Sequence, residues 1–466
     1  MEEIKYIVLF IYFAILFAIG IAASRKVNGL KDFFVGGKNL GFWSIAFSSR
    51  ATGESAWLLL GLTGMGAMYG MSAFWVLLGE VLGVAGCWWL LAKPFKRMTD
   101  KFDSITIPDF LVSRFKPKNH TLRIVAATAL AVFVIIYVSA QIDATGKAFN
   151  SFLEWEYFTG AIVGFVVVLM YSFIGGFVAV VWSDFFQGML MFIGLVLLPL
   201  VAFISIDGNV FEGLQKIDPD LMNIWGAGGA TWGNILAAGG FLFIGLGFLG
   251  SPQIFVRFIS IRSEDEINKG RWVALAFTLL ADTGAILIGM IARYMFTEAG
   301  ADPEAVLGTK AEDALNMVVN EFMPLLLVAI YMAVVLSAIM STIDSLLVVA
   351  ASAITRDFYQ QIYHPEMDEK KLGKLSRVIT ILMALIGLGI AFGVKAIYAD
   401  RSVFWYVIFG WSGIAATFCP VTIMALFWPK YNLRGALASM ISGFLSVPFF
   451  QFIVTMTDSG AYFIGK

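Results

Sequence analysis

Charge is scarce in this chain. Only 14% of its 466 residues are Asp, Glu, Lys or Arg, against 59% hydrophobic. A soluble globular domain carries roughly 25% charged residues. Cysteine and histidine are scarcer still, with two of each. Cys87 and Cys419 both fall in apolar runs, which argues against a disulfide framework and for buried free thiols. His120 and His364 lie far apart in polar stretches, so no transition-metal cluster forms from them. The chain lacks a nucleophile elbow, a phosphate-binding loop and a metal-ligand motif, which argues against an enzyme. No polar stretch is much longer than about 30 residues, too short for a separate soluble domain.

What the chain has instead is long apolar runs. About twelve recur, each enough to cross ~30 Å of hydrocarbon. They fall at roughly 4–24, 40–68, 71–92, 122–150, 157–179, 184–206, 232–258, 272–295, 318–354, 376–397, 402–428 and 435–456. The expected fold is therefore all-α and integral to a membrane. The first run follows Met-Glu-Glu, with no basic region and no clear cleavage site, and reads as a retained span. Lys and Arg cluster in alternate loops, at 25–38, 93–123, 257–271, 356–377 and 430–434, while Glu298 to Asp313 is acidic. The positive-inside rule then puts both termini outside. A net charge of −1 says nothing about partners, and nothing points to nucleic acid.

Ser49-Arg50-Ala51-Thr52-Gly53-Glu54-Ser55-Ala56-Trp57 lies inside the second run. A charge at the centre of a membrane helix costs at least ~2.5–3.5 kcal/mol on insertion scales. A helix that only anchors would avoid that, so this one is expected to break at mid-membrane and bind an ion or a polar cargo. At about 29 residues it is also too long for a straight crossing. The seventh run has a similar oddity, Gly245-Leu246-Gly247-Phe248-Leu249-Gly250-Ser251-Pro252. Glycine-rich membrane helices can be packing faces, but Ser251-Pro252 favours a second break. Segments two and seven enter from opposite sides and lie five spans apart. That predicts two inverted five-helix repeats, residues 39–206 and 232–428, joined by an outer loop at 207–231. Extra helices at 1–38 and 429–466 complete the expected division.

Segment nine contains Ser337-Ala338-Ile339-Met340-Ser341-Thr342-Ile343-Asp344-Ser345. Helical spacing puts Ser337, Ser341, Asp344 and Ser345 on one face. Oxygen ligands suit a hard cation, although serine and threonine often bond back to their own helix. Asp344 is different, because an intramembrane carboxylate needs a partner. By hydropathy alone Asp184 reads as a helix cap at the start of segment six. Tyr137, Gln141 and Asp143 lie within segment four, and Glu80 within segment three. Arg50 and Glu54, four apart, are spaced to pair locally.

Three stretches together resemble the sodium/solute symporter family, and its sodium/proline branch most closely. They are Asp32-Phe33-Phe34-Val35-Gly36-Gly37-Lys38-Asn39-Leu40-Gly41; Gly175-Gly176-Phe177-Val178-Ala179-Val180 with Ser183-Asp184 and Gln187; and Ser337 to Ser345 with Ser352-Ala353-Ile354-Thr355-Arg356-Asp357. The resemblance implies the LeuT-like fold of two inverted repeats. It implies one sodium held by the carbonyls of Ala51, Glu54 and Ala338 and the hydroxyls of Ser341 and Thr342. A second sodium, present in some members, would fall on Asp184, Ser341, Asp344 and Ser345. Solute would be lined by Thr52, Gly53, Ser55, Trp57, Tyr137, Gln141, Phe248 and Pro252. Proline carriers have tryptophan and tyrosine where this chain has Ile244 and Phe248, and an acidic residue where it has Gly53.

The expected function is sodium-coupled symport of a small organic solute, an amino acid such as proline being the best guess, by alternating access. Na+ is the coupling ion, one or two per cycle. Alternatives are proton coupling through Glu54, Asp143 and Asp344, a sugar, sialate or other organic-acid cargo, and a membrane solute sensor. The expected setting is the inner (plasma) membrane, crossed many times, with the protein a monomer or weak homo-oligomer.

Overall fold

The computed structural model describes residues 3–27, 29–398 and 401–454. Among these residues every long element is a helix, and no sheet is present beyond one isolated bridge. Among the described residues, ten helices are long and apolar enough to cross a membrane. One of them, Phe42–Lys101, covers the second and third expected runs; it turns sharply at Gly70, where φ is 55°. The fifth run appears as a shorter apolar helix, Tyr157–Ser172. The end of the twelfth, past residue 454, lies outside the described residues.

Several expected boundaries move. Runs five and six are not separated by a loop: Tyr157–Ser205 is continuous except at Gly176 (φ 56°, ψ −154°). Asp184 therefore sits two turns inside a helix and is fully buried, which rules out the reading as a cap. Run nine begins later than expected. A separate helix, Ala314–Phe322, precedes it, and Pro324 supplies the N-cap of Leu325–Ser352.

Both expected breaks are present. Segment two departs from helical geometry at Ser55 (φ 50°, ψ −164°). A non-glycine residue there is strained and needs support from its surroundings. Segment seven runs as Trp232–Ile244, tightens through Gly245–Leu249, and restarts with Pro252 at the first position of Pro252–Ser260. Its glycines also pack. A Cβ on Gly245 would lie 1.8 Å from the Gly79 carbonyl oxygen, and one on Gly83 would lie 2.0 Å from that of Gly245. Segments three and seven thus touch backbone to backbone, as small residues allow in lipid.

The start of the first broken helix and the end of the second are tied to each other. Leu40 N–H donates to Ser260 O (3.1 Å) and Arg262 N–H to Leu40 O (2.9 Å). Arg97 grips Glu264 with two bonds of 2.6 and 2.7 Å. Lys31 donates to Asp103 and holds its carboxyl below the usual range.

Candidate functional site

A broken helix frees backbone groups that hydrocarbon cannot satisfy. Around the segment-two break the structure accounts for them one by one. Ser341 Oγ donates to Ala51 O (3.1 Å), and Thr342 Oγ1 to Thr52 O (3.1 Å). Trp57 Nε1 donates to Gly53 O (3.1 Å), and the Trp57 backbone N–H to Glu54 O. The freed Ala56 N–H donates to Gln141 Oε1 (3.1 Å). Tyr137 Oη donates to Ser55 Oγ (3.2 Å).

The same two hydroxyls also reach the Ala338 carbonyl of their own helix, at 3.2 Å from Ser341 and 3.1 Å from Thr342. Thus the oxygens of Ala51, Ala338, Ser341 and Thr342 converge where segment two meets segment nine. Oxygens about 3–3.5 Å apart are what a hard cation with ligands at about 2.4 Å requires, so these residues fit sodium. Glu54 is placed differently. Its carbonyl accepts from Trp57, and its buried side chain turns to Arg50, with which it forms an ion pair.

The residues expected to hold a second sodium do not converge. Asp184 and Ser345 gather instead on the guanidinium of Arg257, which is fully buried. Arg257 Nη2 donates to Asp184 Oδ2 (2.8 Å), Thr52 Oγ1 (2.7 Å) and Ser345 Oγ (2.5 Å); its Nε donates to Ser48 Oγ (3.0 Å) and its Nη1 to Gln253 O (2.5 Å). Ser48 Oγ also donates to Asp184 Oδ2 (2.6 Å). Asp344 faces Tyr171, whose hydroxyl donates to Oδ2 at 2.8 Å. Ser341 belongs to the first cluster. A covalently attached cation fills the place, so this set does not fit a second sodium.

The residues expected to line the solute are brought together at the two breaks and are all buried. Gly53 explains itself here: a Cβ would lie 2.7 Å from Phe248 Cε1. Phe248 in turn packs on Trp411, ring centres 4.9 Å apart. A cavity of 1090 Å³ lies elsewhere, along segment seven and the helix Val403–Phe427. It is lined mainly by apolar side chains such as Trp75, Phe241, Trp411 and Ile423 and by none of the expected solute residues.

Asp143 is fully buried. It pairs with Arg401 and accepts from Tyr157 Oη at 2.6 Å, within a network where Lys147 meets Glu312 (3.0 Å). Arg123 pairs with Asp109 (2.7 Å) and with Asp357.

Sequence reading placed Arg257 in an inner loop and passed over Asp282, Tyr171 and Tyr12. The signal for the first two was present. Arg257 interrupts Ile254-Phe255-Val256 and Phe258-Ile259, and Asp282 sits mid-way along segment eight. Nothing in the sequence marked Tyr171 or Tyr12 apart from other aromatics; Tyr12 Oη accepts from Gln187 Nε2 (2.9 Å) and Ser337 Oγ (3.1 Å).

Comparison with known proteins agrees with this geometry. The model of the sodium:solute symporter family matches residues 33–443. The high-affinity proline transporter PutP of Bacillus subtilis (strain 168) is 33% identical over 436 residues, covering 92% of this chain and 88% of that one. The osmoregulated proline transporter OpuE of the same strain is 31% identical, covering 94% and 86%. Among solved structures, a Na+-coupled sialic acid symporter in a substrate-bound outward-open state superposes with a TM-score of 0.74. It is 18% identical, with 96% of this chain and 98% of that one covered. At that identity the likeness shows the fold.

Proposed function

The chain belongs to the sodium:solute symporter family, and on that premise we propose that it imports a small organic solute by sodium-coupled symport, an amino acid such as proline being the best guess. One observation carries the reading: the hydroxyls of Ser341 and Thr342 meet the carbonyls of Ala51, Thr52 and Ala338 at the segment-two break. Two broken helices, with hydroxyls from a third closing on one of them, form a mid-membrane site for a hard cation and a polar solute. The proline carriers among the relatives favour an amino acid. Gly53 and Phe248 give this pocket its own shape.

In the cycle, sodium enters from outside and ties segment two to segment nine. Solute then binds between the breaks, where half-helix termini face a carboxylate or an amine. Closure and rocking open the inside, and sodium release loosens segment two and frees the solute. Segments two and seven, hydrogen-bonded at their inner ends, move together. One sodium falling through 100 mV yields ~2.3 kcal/mol. A tenfold gradient adds ~1.4 kcal/mol, on the order of 500-fold accumulation in all.

The twelve expected runs are read as twelve crossings with both termini outside. Residues 39–206 and 232–428 form the two inverted repeats, 207–231 the outer loop between them, and 1–38 and 429–466 the additional ends. The test is thermal stability of the purified protein with proline, other neutral and cationic amino acids, sugars, sialic acid and pantothenate, in sodium and in potassium. A solute that raises the melting temperature only in sodium identifies cargo and coupling together. Equal stabilisation in potassium refutes sodium coupling.

A further inference from the structure

Arg50 and Glu54 project from segment two toward segments three and eight, away from Ala51 and Thr52, whose carbonyls meet segment nine. There they meet Glu80 from segment three and Asp282 from segment eight. All four residues are at most 1% exposed. One carboxylate oxygen from each of Glu54, Glu80 and Asp282 lies within 4.8 Å of the other two. Arg50 pairs with Glu54 and, at 3.5 Å, with Glu80 Oε2. Neither oxygen of Asp282 accepts a hydrogen bond, nor does Glu80 Oε1.

Formal charge counting leaves three carboxylates against one guanidinium. An ion stripped of water costs several kcal/mol unless paired and hydrogen-bonded. Arg50 serves two of the three acids; Asp282, fully buried and directed at the others, has no donor at all. A structural ion pair would be matched in charge. This cluster is short of positive charge and rich in unused oxygens, which is the donor set a hard cation takes. An ion with ligands at about 2.4 Å can touch oxygens up to about 4.8 Å apart, so the measured spread admits one ion in contact with all three side chains.

We propose that Glu54, Glu80 and Asp282 form a second sodium site, separate from the cluster at Ala51, Ala338, Ser341 and Thr342. The identity of the ion rests on the symport reading above; the site itself rests on the geometry. Glu54 lies between the two, its backbone at the break and its carboxylate in the acid cluster. Arg50 Cζ lies 4.6 Å from the Phe248 ring, and Gly53 packs on the same ring. An ion here therefore adjoins the expected solute pocket.

The test is equilibrium binding of radiolabelled sodium to the purified full-length chain in detergent, in a choline background. Wild type is expected to bind two ions per chain. Asp282→Asn should bind one, with affinity at the lost site reduced at least tenfold. Ser341→Ala combined with Thr342→Val should also bind one, and all three substitutions together none. Glu80→Gln provides a second probe of the acid cluster, and the ion retained at the other site reports correct folding. Wild type binding a single ion, or two ions that Asp282→Asn and Glu80→Gln leave intact, overturns the proposal. Loss of one ion in Asp282→Asn with none lost in the Ser341/Thr342 variant supports it and refutes the first site instead.

Discussion

Replacing Arg257 tests the claim that a fixed guanidinium takes the place of an ion. Arg257→Met keeps most of the side chain's length and removes its charge. The structure sets the size of the effect. Both members of the Arg257–Asp184 pair are 0% exposed, and the guanidinium makes five hydrogen bonds, to Ser48, Thr52, Asp184, Gln253 and Ser345. Removing one partner of a buried pair leaves the other as an uncompensated charge, at a cost of about 3–5 kcal/mol. Asp184→Asn with Arg257→Met removes both charges, and should recover about 0.5–3 kcal/mol through the coupling of the two sites. In the single variant Asp184, Thr52 and Ser345 present their oxygens to the space the guanidinium leaves. Sodium should then stabilise Arg257→Met more than wild type, by about 2.7 kcal/mol more at a concentration 100 times its dissociation constant. The assay is reversible unfolding in mixed micelles, in sodium and in choline. A single variant within about 1 kcal/mol of wild type, or one no more sensitive to sodium than wild type, refutes the assignment.

Ser341→Ala and Thr342→Val each delete one hydroxyl from the first ion site. A hydrogen bond to a charged group is worth about 1.5–3 kcal/mol, so half-saturating sodium for uptake should rise about 10–150-fold in each; unchanged sodium dependence in both removes the site. Gly53→Val puts a Cβ 2.7 Å from Phe248 Cε1, an overpacking cost of about 1–3 kcal/mol. Uptake should fall and be partly restored by the second change Phe248→Leu, and full uptake by Gly53→Val alone would show that the two do not meet.

The broken helices were legible because lipid punishes what they contain. Arg50 and Glu54 in one run, and Ser251-Pro252 in another, have no economical place in a plain span. The hydroxyl face of segment nine was legible from i+3 and i+4 spacing, and Ser341 and Thr342 meet segment two as that spacing implies. Arg257 was lost for a physical reason. The positive-inside rule counts basic residues near span ends, and Arg257 is near the end of segment seven by hydropathy. Arg257 lies inside the helix Pro252–Ser260 and is buried against neighbouring segments, whereas Arg262 lies past the helix end and is exposed; that difference is a tertiary fact. Asp344 shows the same limit: the face it shares with Ser341 was readable, but its partner Tyr171 comes from another helix. Asp184 looked like a cap because the turn between runs five and six, at Gly176, leaves almost no polar loop to place.

The two buried cation-binding groups on either side of segment two differ in what they contribute to transport. Arg257 pairs with Asp184 here and, being part of the chain, stays with the protein throughout the cycle. It holds segment seven against segments two, six and nine, but it does not cross the membrane and supplies no energy. A sodium at Glu54, Glu80 and Asp282 would cross, adding a second ~2.3 kcal/mol per 100 mV and squaring an accumulation ratio on the order of 500-fold. The charge balance thus bears on stoichiometry as well as stability. Where the protein supplies its own cation, one expected ion is lost. Where one guanidinium faces three carboxylates, the proposed ion completes the balance.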